Sequence, residues 1–288
     1  VANKMKKKKR KNNKSIIVIF ALIIIIIAAF KAISNGDDKE PINENQNEQP
    51  NNEQPNNEQP NNEQEPNQNE NNGETVTSSE PNKYDLSKTI DENNVVTNSS
   101  DLEVVVNKKR YLPEDYVPED LVPLDDLPTV LENPEINQLR KVAHDALKLL
   151  FDSAKEDGYE LKARSGYRSY NTQSSLYKSY VASNGQEAAD KYSAKPGQSE
   201  HQTGLAIDIT AASMNFQLDD TFENTEEGKW VKDNAHKYGF IVRYPKGKES
   251  ITGYSFEPWH LRYVGVELAK EVFESGFTLE EYFESKAQ

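Results

Sequence analysis

Hydrophobic and polar positions divide the chain into three unlike regions. Ile16 to Phe30 is apolar without a break, and Ala32 and Ile33 carry the run past Lys31. Lys31 can snorkel, so the stretch reaches about 18 positions, close to the lower limit for a bilayer-spanning helix. The next region has no helical or strand period. It holds a five-residue repeat: QNEQP at 46–50, NNEQP at 51–55 and 56–60, NNEQE at 61–65. Asn, Gln, Glu and Pro cannot bury enough apolar surface to offset chain entropy. A disordered, extended linker is therefore expected over residues 35–99. A period of five is too short for a solenoid unit. Hydrophobic patterning resumes near residue 100, and a folded domain is expected over 100–288.

Within that domain the pattern alternates between periods. Leu102–Val106 reads as a strand. The segment YLPEDYVPEDLVPLDDLP (111–128) spaces prolines between hydrophobic residues, which excludes continuous helix or central strand and predicts an extended arm over a core. Asn133-Pro134 opens a helix whose stripe is Ile136, Leu139, Val142 or Ala143, Ala146, Leu150 and Ala154, ended by Gly158. Tyr159–Arg164 alternates as a strand. Ser169 caps a helix over 170–183. Gly204–Thr210 is a strand, Glu226–Lys237 a helix ending near Gly239, and Phe240–Tyr244 a strand. Another strand lies within 256–265. Helices close the chain at 266–275 and 279–285. Mixed elements without a regular βαβ alternation predict an α+β fold, a small antiparallel sheet with helices packed around it.

Charge sharpens the reading of the N-terminal region. Residues 4–14 carry eight Lys and Arg, so the net charge of −14 becomes −22 once those eight are set aside. A basic flank before an apolar run predicts a cytoplasmic segment over 1–14 and a single transmembrane anchor over 15–34, with the rest of the chain outside the cell. A cleaved signal peptide is the alternative for 15–34. The basic run is accounted for by this membrane partner, so no nucleic-acid partner is expected. The chain has no Cys, which excludes disulfides, thiolate catalysis, a lipid-modified Cys and Cys-ligated zinc.

Chemistry concentrates at three places. In SEHQTGLAID (199–208), His201 precedes a strand that carries Asp208. Ile207 and Ile209 point to the opposite face, so Asp208 needs a cation, a donor or a metal. The alternative is a turn His and a carboxylate held by backbone amides. In EPWH, His260 lies three residues after Glu257. Pro258 bends the chain and lets Glu257 lean toward a water as general base; the alternative is a surface acid, with Trp259 a core aromatic. In SGYRSYNTQ (165–173), Arg168 sits on a turn between strand and helix, where a guanidinium can stabilise an oxyanion or clamp a terminal carboxylate. A surface Arg is the alternative.

Taken together these stretches resemble the VanY-like D-alanyl-D-alanine carboxypeptidases, zinc peptidases grouped with the VanX dipeptidases and the peptidoglycan L,D-carboxypeptidases. The shared motifs are S-x-H-x-x-G-x-A-x-D, here Ser199, His201, Gly204, Ala206 and Asp208, and E-x-W-H, here Glu257, Trp259 and His260. SGYRS, VNKKRYLPEDYVPEDLV (106–122) and NAHKYGFIVRYP (234–245) also match, so the resemblance covers about 100–275. It implies Zn2+ on the sheet held by His201, Asp208 and His260, Glu257 as catalytic base, and Arg168 as oxyanion stabiliser that holds the substrate carbonyl. It further implies Gln173, Ser199 and Tyr244 in the substrate pocket. His236 falls within a family helix motif and reads as structural, and His144 as solvated. The implied reaction removes the C-terminal D-alanine from peptidoglycan stem peptides, by a monomer. L,D-cleavage of tetrapeptide stems and an inactive wall-binding module are the alternatives.

Overall fold

A computed structural model of the protein describes residues 85–287, apart from the side chains of Lys191 and Tyr192. The basic segment, the apolar run and the repeat lie outside the described residues. No described helix is long and apolar enough to cross a membrane.

Two strands organise the domain. Strand β4 (Ala206–Ala211) is buried at every residue, and β6 (Glu257–Tyr263) is buried at all but its first. They pair antiparallel with Ile207 opposite Leu261 and Asp208 opposite His260. Paired residues share a face, and successive residues alternate. Ile207, Ile209 and Leu261 therefore enter the main core, while Asp208 and His260 stand side by side on the other face. Strand β3 (Leu161–Ser165) flanks β4, and β5 (Phe240–Tyr244) flanks β6, giving a four-stranded antiparallel sheet in the order β3-β4-β6-β5. The α+β expectation holds.

The main core is closed by α1 (Lys141–Glu156), through Ala143, Leu147, Leu150, Phe151 and Ala154, and by Trp230 and Val231 of α4 (Glu226–Asn234). Helices α2 (Tyr170–Asn184) and α3 (Gln186–Tyr192) follow β3 in the chain; α3 gave no periodic signal in the sequence. Short α5 (Glu249–Thr252) joins β5 to β6. On the opposite face, α6 (Val266–Ser275) and α7 (Leu279–Lys286) pack on Ile241 and Val105.

Four expectations need correction. Residues 85–99, placed in the linker, contain a 3-10 turn at Leu86–Thr89, and Val95 bridges to Tyr111. Buried Arg110 ties them down by donating to the Leu86 and Thr89 carbonyls. Leu102 and Glu103 instead form a turn, in which the Val104 amide donates to the Asp101 carbonyl, and Val104–Val106 join no strand; all three valines are fully buried, divided between two small clusters. The arm at 111–128 contains a three-residue strand, β1 (Leu121–Pro123), which pairs with β2 (Gln138–Arg140).

The fourth correction matters most. The first long helix begins at Lys141, not at Asn133. The Asn133 side chain accepts from the Glu135 and Ile136 amides and makes a turn instead. The Ile136 and Gln138 carbonyls then accept from the Gly166 and Tyr167 amides at 2.6 and 2.7 Å. Ile136 and Leu139 are buried as the stripe requires, but the Ile136 backbone serves the SGYR turn and Leu139 pairs with Val122 in the two-stranded sheet. Gly166 lies so close that a Cβ there would sit 2.4 Å from the Gln138 carbonyl oxygen. Gly166→Ala is therefore expected to force backbone apart and cost about 1–3 kcal/mol of stability, read as a lower midpoint in thermal unfolding followed by circular dichroism.

Candidate metal centre

The Asp208–His260 pair is the base of the site. His201 reaches it from a 3-10 turn, Glu200–Thr203, that ends at Gly204 in the left-handed region (φ +65°). A side chain at Gly204 would also meet Arg140 Cγ and Leu121 Cδ2 at 2.9 Å, which explains a glycine at that motif position. His201 Nδ1 lies 2.8 Å from the Gly166 carbonyl and must donate to it. That fixes the tautomer and turns Nε2 toward Asp208 Oδ2, at 3.4 Å. His260 presents Nδ1 to Asp208 Oδ1 at 2.9 Å. The two rings stand edge to face with centroids 5.0 Å apart. One donor atom from each of the three residues lies within 4.8 Å of the others, and all three residues are buried.

This arrangement fits zinc. Bond lengths of ~2.0–2.2 Å and tetrahedral angles place neighbouring N and O ligands ~3.3 Å apart, between the two observed spacings. Two imidazoles and a carboxylate are the donor set of an open zinc site with a fourth position free. The charges agree. Burial would raise the Asp208 pKa, but His201 and His260 hold it far below the usual carboxylate range. Burial lowers that of His201, which favours the neutral ligand form. Burial would lower His260 as well, yet the carboxylates of Asp208 and Glu200 beside it push it up to about 9: its surroundings demand positive charge, which a divalent cation supplies.

Glu257 lies beside the triad, its Oε2 4.0 Å from His260 Nδ1. Between the pairs Val242–Leu261 and Tyr244–Glu257, β6 advances four residues while β5 advances two. This irregularity, at Pro258, brings Glu257 round to the metal face. Burial pushes its carboxyl up to about 7, with Asp208 adding to the effect and His260 and Arg168 opposing it.

Arg168 comes from the SGYR turn, whose Arg168 amide donates to the His201 carbonyl at 3.1 Å. Its guanidinium donates to Gln173 Oε1 at 2.8 Å and to Ser165 Oγ at 3.2 Å. Gln173, expected in the pocket, is buried and gives its amide nitrogen to the Ala194 carbonyl. Both its polar atoms are engaged, so it orients Arg168. Ser199 is buried immediately before the His201 turn. Tyr244 stacks on His260 with centroids 4.8 Å apart. Trp259 is a core aromatic. His236 stacks on Phe273 at 3.7 Å and takes no part. His144 is corrected: it is not solvated but bridges Asp126 and Asp145 at 2.8 and 3.0 Å, with a largely buried ring.

Comparison with known proteins agrees with this geometry. The VanY family pattern, described as D-alanyl-D-alanine carboxypeptidase, matches residues 136–266. YodJ of Bacillus subtilis (strain 168), an inferred carboxypeptidase, is 45% identical over 207 residues, which span 72% of this chain and 76% of YodJ. The chain belongs to the VanY family. Two solved structures are similar to it. The LdcB LD-carboxypeptidase aligns with a TM-score of 0.64 at 50% identity, covering 66% of this chain and 89% of that one. The D,D-pentapeptidase VanY of a VanB-type vancomycin resistance cassette, solved with Zn(II), aligns with a TM-score of 0.52 at 35% identity, covering 64% and 98%.

This VanY-family chain also has a feature that sequence reasoning missed. Arg243 and Arg262 are the two largest fully buried side chains among the described residues. Both donate to Glu200 Oε1 at 2.8 Å. Arg243 also grips Glu280 of α7 through two bonds at 2.7 and 2.8 Å, and Asn107 donates to the same carboxylate. Arg262 donates to the Leu102 and Val104 carbonyls. The remaining oxygen, Glu200 Oε2, has no hydrogen-bond partner, and neither has His260 Nε2. The two lie 3.6 Å apart, facing each other. With Nδ1 directed at the metal position, Nε2 must carry the proton, and Glu200 Oε2 is the carboxylate oxygen it faces. An acid directly before the ligand His, and Arg at positions 243 and 262 of buried strands, were the available signals; their pairing was not readable without the fold. Carboxylates behind metal-bound His typically contribute 10–100-fold in metal affinity. Glu200→Gln is thus expected to weaken zinc binding by about 10–100-fold in competition with a chelating dye.

Proposed function

We propose that this chain is a zinc-dependent carboxypeptidase that releases the C-terminal D-alanine from peptidoglycan stem peptides. The observation that carries the reading is the buried His201–Asp208–His260 triad with the Glu257 carboxylate 4.0 Å from it. The family membership supports it, as do neighbours described as an LD-carboxypeptidase and as a Zn(II)-bound D,D-pentapeptidase.

His201, Asp208 and His260 would hold zinc, which when bound would supply Lewis acidity toward the scissile carbonyl and the attacking water. The rest falls to the chain's own residues. Glu257, with a carboxyl near neutrality, takes the proton of the attacking water and delivers it to the departing amine nitrogen. Arg168 stabilises the charge that develops on the carbonyl oxygen. Gln173 and Ser165 hold its guanidinium in place before substrate arrives. Tyr244 and Ser199 border the reacting group. The buried setting strengthens each of these interactions relative to water.

Two bonds fit this chemistry. D,D-cleavage removes the last residue of a pentapeptide ending in D-Ala-D-Ala; L,D-cleavage removes D-alanine from a tetrapeptide after a diamino acid. The D,D reading follows the family pattern, whereas the higher identity to LdcB favours the L,D reading. The apolar run at 16–33, its basic flank and the polar repeat support a membrane anchor from which the domain reaches the cell wall on an extended tether.

The test uses the full chain loaded with zinc and each peptide separately, with products weighed by mass spectrometry. Loss of alanine from one peptide names the bond, and loss from both names a bifunctional trimmer. No loss from either, with zinc bound, would replace the enzyme by a wall-binding module. Glu257→Gln is expected to keep its zinc, measured by plasma mass spectrometry, and to lose about 10²–10⁴-fold in turnover. His260→Ala should lose both zinc and turnover. Undiminished turnover in Glu257→Gln would remove Glu257 from the role of base.

A further inference from the structure

One buried cation near the metal centre has no task in this chemistry. Arg164 is 9% exposed. Its Nε is enclosed without a partner, and no hydrogen bond or ion pair reaches its guanidinium among the described residues. A guanidinium removed from water and left unpaired is costly, and Arg is almost never buried unless paired.

The strand register gives its direction. Ala163 pairs with Ile209 and belongs to the core. Lys162 pairs with Thr210, on the face of Asp208. The next pair is Ser165 with Asp208, so Arg164 is the extra residue of a bulge. Two positions beyond Lys162, and beside Ser165, it lies on the metal-site face. Among the described residues the Asp208 carboxylate favours its charge, and that carboxylate is already engaged by His201 and His260. Arg168, the other cation of the same turn, is held by Gln173 and Ser165. Arg164 is thus buried, unspent and on the substrate's side of the sheet.

We propose that Arg164 is a carboxylate-recognition residue, binding an anionic group of the substrate other than the scissile carbonyl. The planar guanidinium fork matches a carboxylate in two parallel bonds. This rests on the peptidase reading. A stem peptide offers two sources: the terminal α-carboxylate, and the side-chain carboxylate of diaminopimelate, which lysine lacks.

Binding decides it without turnover. Zinc-loaded full-length protein carrying Glu257→Gln, with and without Arg164→Met, is titrated calorimetrically with three peptides. One carries diaminopimelate and a free C-terminus, the second has a C-terminal amide, and the third has lysine in place of diaminopimelate. Arg164→Met is expected to weaken the first peptide by about 10–100-fold, the loss of one charged hydrogen-bonded contact. The peptide that lacks the recognised carboxylate should bind equally with and without Arg164→Met, and which of the two does so names the source. Equal losses for all three peptides, no loss for any, or no binding of the first peptide would overturn the proposal. Removing an unpartnered buried charge should leave the thermal midpoint unchanged or higher. A large fall would show a structural role and overturn it as well. Cleavage by the wild-type protein, measured separately, tests the enzymatic reading on its own.

Discussion

A buried charge must be met by another charge, a donor or an ion, and this requirement organises the sheet from end to end. Strands β4 and β6 are covered on both faces, yet they carry Asp208, His260 and Arg262. On the core face alternation places only apolar side chains. On the other face, Arg164 apart, the ionisable groups find counterparts: Asp208 between two imidazoles, Glu200 between two guanidiniums, Glu280 against Arg243 and Asn107. The arm at Leu102–Val104 and helix α7 are drawn into this arrangement because they supply the remaining acceptors. The position of the C-terminal helix and the geometry at His260 are therefore parts of one electrostatic solution.

Much of the fold was legible where period and punctuation agreed. Ser169 caps α2 by accepting from the Thr172 amide. Gly239 and Gly276 end helical segments in the left-handed region, and alternation in FIVRY and EPWHLRY marked an edge strand and a central one. The failures share a cause. Ile136 and Leu139 have helical spacing, but the Ile136 and Gln138 carbonyls are claimed by a turn some thirty residues away and Leu139 by pairing with Val122, a competition no local pattern reveals. Val104, Val105 and Val106 read as a strand because continuous burial and strand pairing look alike in sequence. The linker was drawn too long because residues 85–99 owe their order to Arg110, a long-range partner.

The site divides the same way. The motifs marked the three candidate ligands, Glu257 and Arg168, and the fold brings them together. The groups that orient them were hidden, because orientation depends on contacts distant in the chain: Gly166 with His201, Arg243 and Arg262 with Glu200. Gln173, expected against substrate, has both its polar atoms engaged within the protein, one on Arg168 and one on the Ala194 carbonyl.

The cluster around Glu200 is a poor way to gain stability alone. Two carboxylates and two guanidiniums must all be desolvated, and well-packed apolar side chains of similar volume often do as well or better. Apolar replacements, however, would leave His260 Nε2 facing hydrocarbon, with nothing to hold the proton there and the lone pair on Nδ1. Burial of Glu200 alone would favour its neutral form, and the two guanidiniums keep it ionised. Their own bonds to α7 and to the arm prevent them from swinging away. Each layer is required by the one inside it, which accounts for the two largest fully buried side chains among the described residues being arginines.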